Sequence, residues 1–216
     1  MIKAIIFDMD GVISDTQKIH SALESEILNN HGIKITPEEI TAKYSGRRAI
    51  DFFTELFKEA DIDISQEKIS KLVHDKRDKM IESLKKNTPP IPGIFELVDR
   101  LCNANLKLGI ASTSTLPNIN VVVDKLNLKD KFTVLTSGHE VKDVNPAPDV
   151  FLLAAERLDV LPHECIVIED GISGMQAAAA AKMKCIGYVP DKDKKYPADI
   201  LVTHLDEITL ELIGVL

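Results

Sequence analysis

The 216-residue chain is expected to fold as an α/β protein: a Rossmann-like parallel-sheet core with an all-helical cap inserted after the first strand. Three observations predict this. An apolar run, Ile2–Phe7, leads into Asp8-Met9-Asp10-Gly11 and reads as a buried strand. From Thr16 to about Lys86 the pattern is helical and charge-rich. Beyond Gly93, short apolar runs alternate with helical segments, as in a parallel sheet covered on both faces.

The elements follow in order. Helical spacing of apolar residues predicts helices over Lys18–Asn30 (Leu23, Ile27, Leu28), Pro37–Lys43, Arg47–Ala60 (Ile50, Phe53, Leu56, Phe57) and Gln66–Lys86. The segment Thr88-Pro89-Pro90-Ile91-Pro92-Gly93 breaks the helical run, as a boundary or hinge should. Helices are then expected over Phe95–Ala104, Asn118–Leu126, Asp149–Leu158 and Ser173–Lys182, with Leu205–Ile213 closing the chain. Strands are expected at Leu106–Ala111, Phe132–Leu135, Cys165–Ile168, Cys185–Tyr188 and Ile200–Val202. The implied division is a core of residues 1–14 and 88–216 and a cap of residues 15–87. The alanines of Ala177–Ala181 let a helix approach the sheet closely.

Bulk properties narrow the function classes. Twenty-six basic against 34 acidic residues give a net charge of −8, which argues against general binding to nucleic acid or to an anionic membrane. A small phosphorylated metabolite remains compatible, because it needs only a local positive site. Cys102, Cys165 and Cys185 lack metal-ligand spacing and are read as small reduced hydrophobes. No apolar run is long enough to span a bilayer and none reads as a signal peptide, so a cytoplasmic monomer is expected.

The chemistry concentrates at strand ends. Period-2 geometry points Asp8 and Asp10 to one face at the C-terminal end of the first strand, where open α/β sheets bind ligands. Adjacent carboxylates repel unless a cation lies between them, although an Asp-rich turn would also read this way. Ile166-Val167-Ile168 runs into a second acidic pair, Glu169-Asp170, followed by Gly171. Together the four carboxylates offer the oxygen donors that Mg²⁺ prefers. Leu108–Ala111 runs into Ser112-Thr113-Ser114, whose hydroxyls and N–H groups either hold phosphate oxygens or cap the next helix.

Asp8-Met9-Asp10-Gly11-Val12, Ser112 after its strand, Asn145-Pro146-Ala147-Pro148-Asp149 and Ile168-Glu169-Asp170-Gly171 resemble, in order and spacing, the four motifs of the haloacid dehalogenase superfamily. With its helical insertion the chain looks most like the small-cap phosphatases that also include β-phosphoglucomutase. The resemblance implies Asp8 as nucleophile, Asp10 as general acid and base, and Ser112 as a ligand of the transferring phosphoryl group. It implies Mg²⁺ held by Asp8, Asp10 (through its carbonyl), Glu169 and Asp170. His20, in the pattern Asp15-Thr16-x-x-x-His20, matches a position near the site in this subfamily, and Thr113 lies beside the phosphate position. Ser45-Gly46-Arg47-Arg48 sits where a relative aims a specificity loop, so Gly46, Arg47 and Arg48 are candidates for substrate contact.

One departure stands out. The family pattern places a Lys where this chain has Asn145. Asn donates a hydrogen bond but carries no charge, so carboxylate attack on phosphate should be less favourable. Lys142 is the nearby alternative, read here as a solvated loop residue. The resulting expectation is a Mg²⁺-dependent phosphatase acting on a small phosphorylated metabolite, above all a sugar phosphate. The alternatives are a phosphomutase of the β-phosphoglucomutase kind, or a weakened member that binds a phosphorylated ligand with little turnover. Lys192, Lys194 and Lys195 read as solubility charge.

Overall fold

The computed structural model describes residues 1–216. Strand β1 (Ala4–Phe7) is followed by five helices before the next strand: α1 (Gln17–Asn30), α2 (Pro37–Tyr44), α3 (Ala49–Glu59), α4 (Gln66–Lys86) and α5 (Ile94–Asn103). The chain then alternates through β2 (Lys107–Ser112), α6 (Leu116–Lys125), β3 (Val134–Ser137), α7 (Asp149–Arg157), β4 (Cys165–Glu169), α8 (Ile172–Ala180), β5 (Lys184–Tyr188), β6 (Ile200–Val202) and α9 (Leu210–Gly214). All six strands form one parallel sheet in the order β3-β2-β1-β4-β5-β6. The expected α/β core with a helical insertion after its first strand is thus the observed architecture.

Alternation along β1 shows why the run is continuously apolar. Ile5 and Phe7 join the core on one face of the sheet, with α5 and α6, while Ala4 and Ile6 join the other, with α7 and α8. Phe7 meets Phe132 edge-to-face with ring centroids 5.6 Å apart. A third apolar cluster, built from α1, α2, α3 and Ile69 of α4, belongs to the insertion alone. The far end of α4 differs, since Met80 and Leu84 pack with the sheet's own core.

Several boundaries shift for local reasons. Helix α3 starts at Ala49 rather than Arg47, because Arg48 is extended (φ −67°, ψ 135°) as the N-cap and its Nε donates to Asp51 at 2.8 Å. Both arginines therefore lie in the turn before the helix. Helix α6 starts at Leu116, since Pro117 is compatible with a first turn that lacks N–H partners anyway. The third strand runs two residues further along than Phe132–Leu135. The closing segment is a short turn at 205–207 and then α9, started by the Thr209 hydroxyl, which accepts from the Leu212 N–H at 3.2 Å. Helix α4 has the expected bounds, with Ser65 as its N-cap.

Register delivers the site. Phe7 pairs with Ile110 of β2 on one side and Ile168 of β4 on the other. The next residues along the three central strands therefore share one sheet edge, which gathers Asp8, the end of β2 and Glu169. No helix is long and apolar enough to cross a membrane.

Candidate active site

A cavity of about 280 Å³ opens between this sheet edge and the inserted helices. Its size is near the lower end of the ~300–1,000 Å³ usual for small-molecule pockets. Asp8, Asp10, Glu169 and Asp170 line its floor, as do Thr113, Ser114 and Asn145. The inserted helices and the Ser45–Arg48 turn line the roof.

Carboxylate oxygens of Asp8, Glu169 and Asp170 lie within 4.8 Å of one another. Burial, followed by the charges of Glu169, Asp170 and Asp10, pushes the Asp8 carboxyl well above its usual range. Burial and the Asp170 charge raise Glu169 likewise. Burial, aided by the Asp10 charge, pushes Asp170 up to about 7. Glu169 Oε1 accepts from the Gly171 N–H at 2.9 Å, but Oε2 is buried with no hydrogen-bond partner. A donor set made only of oxygens, short of positive charge and with one orphaned oxygen, fits a hard divalent cation.

Glycines hold these carboxylates in place. Gly11 sits at φ +95°, and a Cβ there would come within 2.2 Å of Asp170 Oδ2. At Gly174, on the first turn of α8, a Cβ would lie 2.1 Å from Glu169 Oε2. Gly174→Ala is accordingly expected to displace the Glu169 carboxylate and weaken divalent-cation affinity by about 10–100-fold. Titration calorimetry with Mg²⁺ checks this, and wild-type affinity in the variant would contradict it.

Asp10 has a different environment. Its carboxylate accepts a hydrogen bond from Thr16 Oγ1 and one from Ser114 Oγ at 2.8 Å, and faces His20 Nε2 at 3.4 Å. Burial pushes Asp10 up, but the charge of His20 and hydrogen bonds from His20, Thr16 and Ser114 outweigh it and hold Asp10 at about 2. His20 in turn meets Lys76 Nζ at 3.1 Å through Nδ1, and the Lys76 ammonium also donates to Glu24.

The remaining candidates are distributed as follows. Ser112 ends β2 and is buried; its hydroxyl accepts from the Ser114 N–H at 3.1 Å, which leaves the cavity wall to Thr113 and Ser114. Asn145 is 7 % exposed, lines the cavity, and has a buried Oδ1 without a partner. Gly46 adopts φ +78°, and a Cβ there would sit 3.8 Å from Asn145 Nδ2 and 3.2 Å from Ser173 Oγ. The turn therefore approaches the core closely. Arg47 pairs with Glu55 at 2.6 Å and lies over the Tyr44 ring. Arg48 Nη1 donates to the Lys142 carbonyl at 3.2 Å. The Lys142 side chain stays out of the cavity. Lys192 pairs with Glu207 at the surface.

Sequence reasoning passed over Glu24, Lys76, Arg77 and His139, all of which line the cavity. Lys76 had a signal: it shares a helical stripe with Ile69, Met80 and Leu84, and all four are buried. A charged residue on an apolar stripe is expected to have a partner, which here is Glu24 on α1.

Comparison with known proteins agrees with this geometry. The family model described as "Haloacid dehalogenase-like hydrolase" matches residues 5–188. The chain is 32% identical over 216 residues to the β-phosphoglucomutase of Bacillus subtilis (strain 168), covering 98% of this chain and 94% of that protein. It is 29% identical over 185 residues to the "Phosphorylated carbohydrates phosphatase" of Thermotoga maritima, covering 86% and 84% of the two chains. The crystal structure of β-phosphoglucomutase from Clostridium difficile superposes with a TM-score of 0.91 at 28% identity, covering 100% of this chain and 96% of that one. The chain belongs to the haloacid dehalogenase-like hydrolase family.

Proposed function

We propose that the protein is a Mg²⁺-dependent phosphatase that hydrolyses a small phosphorylated metabolite, a sugar phosphate by preference, through an aspartyl-phosphate at Asp8. The observation that carries this reading is the close-set group of Asp8, Glu169 and Asp170 at the ends of two paired central strands, beside a separately held Asp10. The carbohydrate phosphatase and the phosphoglucomutases among its relatives support it. Residues 15–87 act as the cap and residues 1–14 and 88–216 as the core. Phosphate release from a panel of sugar phosphates, with and without Mg²⁺, tests the reading; silence across the panel would overturn it.

Asp8, Glu169, Asp170 and the Asp10 carbonyl would hold Mg²⁺. When bound, the ion supplies the positive charge that the acidic floor lacks and so lets a carboxylate approach a phosphate dianion. An Asp8 carboxylate oxygen forms the bond to phosphorus while the bond from phosphorus to the sugar oxygen breaks. Asp10 gives its proton to that leaving oxygen, then takes one from the water that cleaves the aspartyl-phosphate. In the free site Asp10 is ionised, the form suited to the second half. A phosphate dianion beside it pushes its carboxyl up again, towards the form needed in the first. Thr113 and Ser114 hold the phosphate oxygens, with Ser112 fixing the Ser114 backbone.

Metal binding should be visible in stability. Asp170, raised to about 7, and Asp8 and Glu169, raised too, keep protons in the folded apo protein that an unfolded chain gives up near pH 4. The folded state then binds more protons between roughly pH 4 and 7, so these groups stabilise it at low pH and the benefit is lost as pH rises through that window. Mg²⁺ reverses the penalty by pairing with the ionised cluster. The gain in Tm on adding Mg²⁺ is expected to be larger at pH 8 than at pH 5, and equal gains by scanning calorimetry would contradict this.

A second reading, a phosphomutase, is favoured by the high structural similarity to a β-phosphoglucomutase. It differs only in whether a sugar hydroxyl or water reaches the intermediate. Isomerisation of β-glucose 1-phosphate, with a bisphosphate primer and without free phosphate, would replace the hydrolase reading with this one.

A further inference from the structure

Ser114 supplies a hydroxyl that holds Asp10, and its own backbone is fastened on both sides. Its N–H donates to Ser112 Oγ at 3.1 Å, and its carbonyl accepts from Ser137 Oγ at 2.7 Å. Ser137 pairs with Ser112 in the register of β2 and β3, so hydroxyls at the ends of two neighbouring strands grip one residue. From that fixed backbone the Ser114 hydroxyl donates to Asp10 Oδ2 at 2.8 Å. Ser137 lies outside the cavity and is 1 % exposed, so it can reach the chemistry only through Ser114.

Ser137 is itself anchored. Its N–H donates to Glu140 Oε2 at 2.8 Å, and its Oγ accepts from the His139 N–H at 3.2 Å, which caps the short turn Gly138–Glu140. Glu140 is gripped in turn by Arg157 of α7, whose Nη1 and Nη2 donate to its two oxygens at 3.1 and 2.7 Å. Gly138 lets this turn lie directly on the loop after β2, since a Cβ there would come within 3.0 Å of Thr113 Cα and 2.9 Å of Val144 Cγ1. Capping the turn uses only the acceptor side of the Ser137 hydroxyl; its donor side goes to Ser114. A continuous set of hydrogen bonds thus runs from Arg157 through Glu140, Ser137 and Ser114 to Asp10.

We propose that Ser137 is a positioning residue: its hydroxyl fixes the Ser114 backbone, and through Ser114 it keeps the Asp10 carboxylate where the proton transfers take place. This rests on the phosphatase reading for the role of Asp10. Asp10 must reach first a leaving oxygen and then a water, so a carboxylate free to shift slows the chemistry more than it weakens substrate binding. Thr113 and the cation site still hold the phosphate when Ser114 loosens.

Ser137→Ala in the full chain, assayed with Mg²⁺ on the sugar phosphate it hydrolyses fastest, tests this. Its kcat is expected to fall roughly 10–100-fold while KM changes less than about threefold. Ser137→Thr keeps the hydroxyl and should recover most of the loss. In a Ser114→Ala background the same Ser137→Ala change should cost less than about twofold, because the residue it acts through is gone. Ser137→Cys fills the same space with a weak donor, and its kcat should fall in the same direction if the alanine variant does not fold. A lowered Tm with kcat intact, or an undiminished loss of kcat in the Ser114→Ala background, would overturn the proposal and leave Ser137 a turn cap. A crystal structure of the Ser137→Ala or Ser137→Cys variant gives a readout that needs no turnover. The Ser114 hydroxyl is expected to lie beyond hydrogen-bond reach of Asp10, and an unmoved contact would overturn the proposal. A displaced Ser114, in a protein whose wild type releases phosphate from no ester, would overturn the phosphatase reading and leave the Ser137 assignment standing.

Discussion

Asp8→Asn is expected to lower Mg²⁺-dependent phosphate release by at least about 10⁴-fold while raising the stability of the metal-free protein, because the same carboxylate serves both effects with opposite sign. An amide cannot form the acyl-phosphate, so turnover loses its nucleophile. The amide also carries no charge, and Asp8 is 9 % exposed and pushed well up by burial and by three neighbouring carboxylates. Removing that charge relieves a folding penalty. Each kcal/mol relieved raises Tm by roughly 2–4 °C in a chain of this size. Phosphate assays and melting curves on one preparation check both halves. A variant that loses activity and stability together would make Asp8 a structural residue.

The second large effect is a gain. Asn145→Lys is expected to raise kcat/KM by about 10²–10³-fold, which corresponds to roughly 2–4 kcal/mol of transition-state stabilisation from one fixed charge. Asn145 is buried on the cavity wall with an orphaned Oδ1, and no lysine or arginine of the core lines the cavity. An ammonium entering there meets an acidic floor that has no fixed cation of its own. Lys142→Ala should change little, since its side chain lies outside the cavity and only its carbonyl is used, by Arg48. Similar rates for the parent enzyme and the Asn145→Lys variant would show that the cap cations already supply the missing charge.

The sheet and its acidic edge were legible in the sequence because they rest on strong local signals. Apolar runs such as Ile5-Ile6-Phe7 and Ile166-Val167-Ile168 are buried on both faces, so each shows as a continuous block. Parallel pairing in register then puts the residues after them together, and Asp8 and Glu169 needed no further information. The roof of the cavity was harder to read. Glu24 lies on α1 and Lys76 on α4, and only the packing of those helices joins them to each other and to His20, which faces Asp10. Ser112 shows the same limit at shorter range. Its position at the end of β2 was readable, but the hydrogen bond its hydroxyl accepts from the Ser114 N–H depends on a turn that the sequence pattern does not show. Arg47 and Arg48 read as the start of a helix, whereas the extended backbone at Arg48 leaves them in the turn that faces the core.

The account depends most on Asp8 becoming phosphorylated. Brief incubation of the wild-type chain with a radiolabelled sugar phosphate and Mg²⁺, acid quenching and peptide mapping would locate the label. The predicted result is a hydroxylamine-labile phosphoryl group on Asp8 that is absent from Asp8→Asn and from samples without Mg²⁺. Phosphate release with no label on Asp8, or label on a histidine or serine, would contradict it.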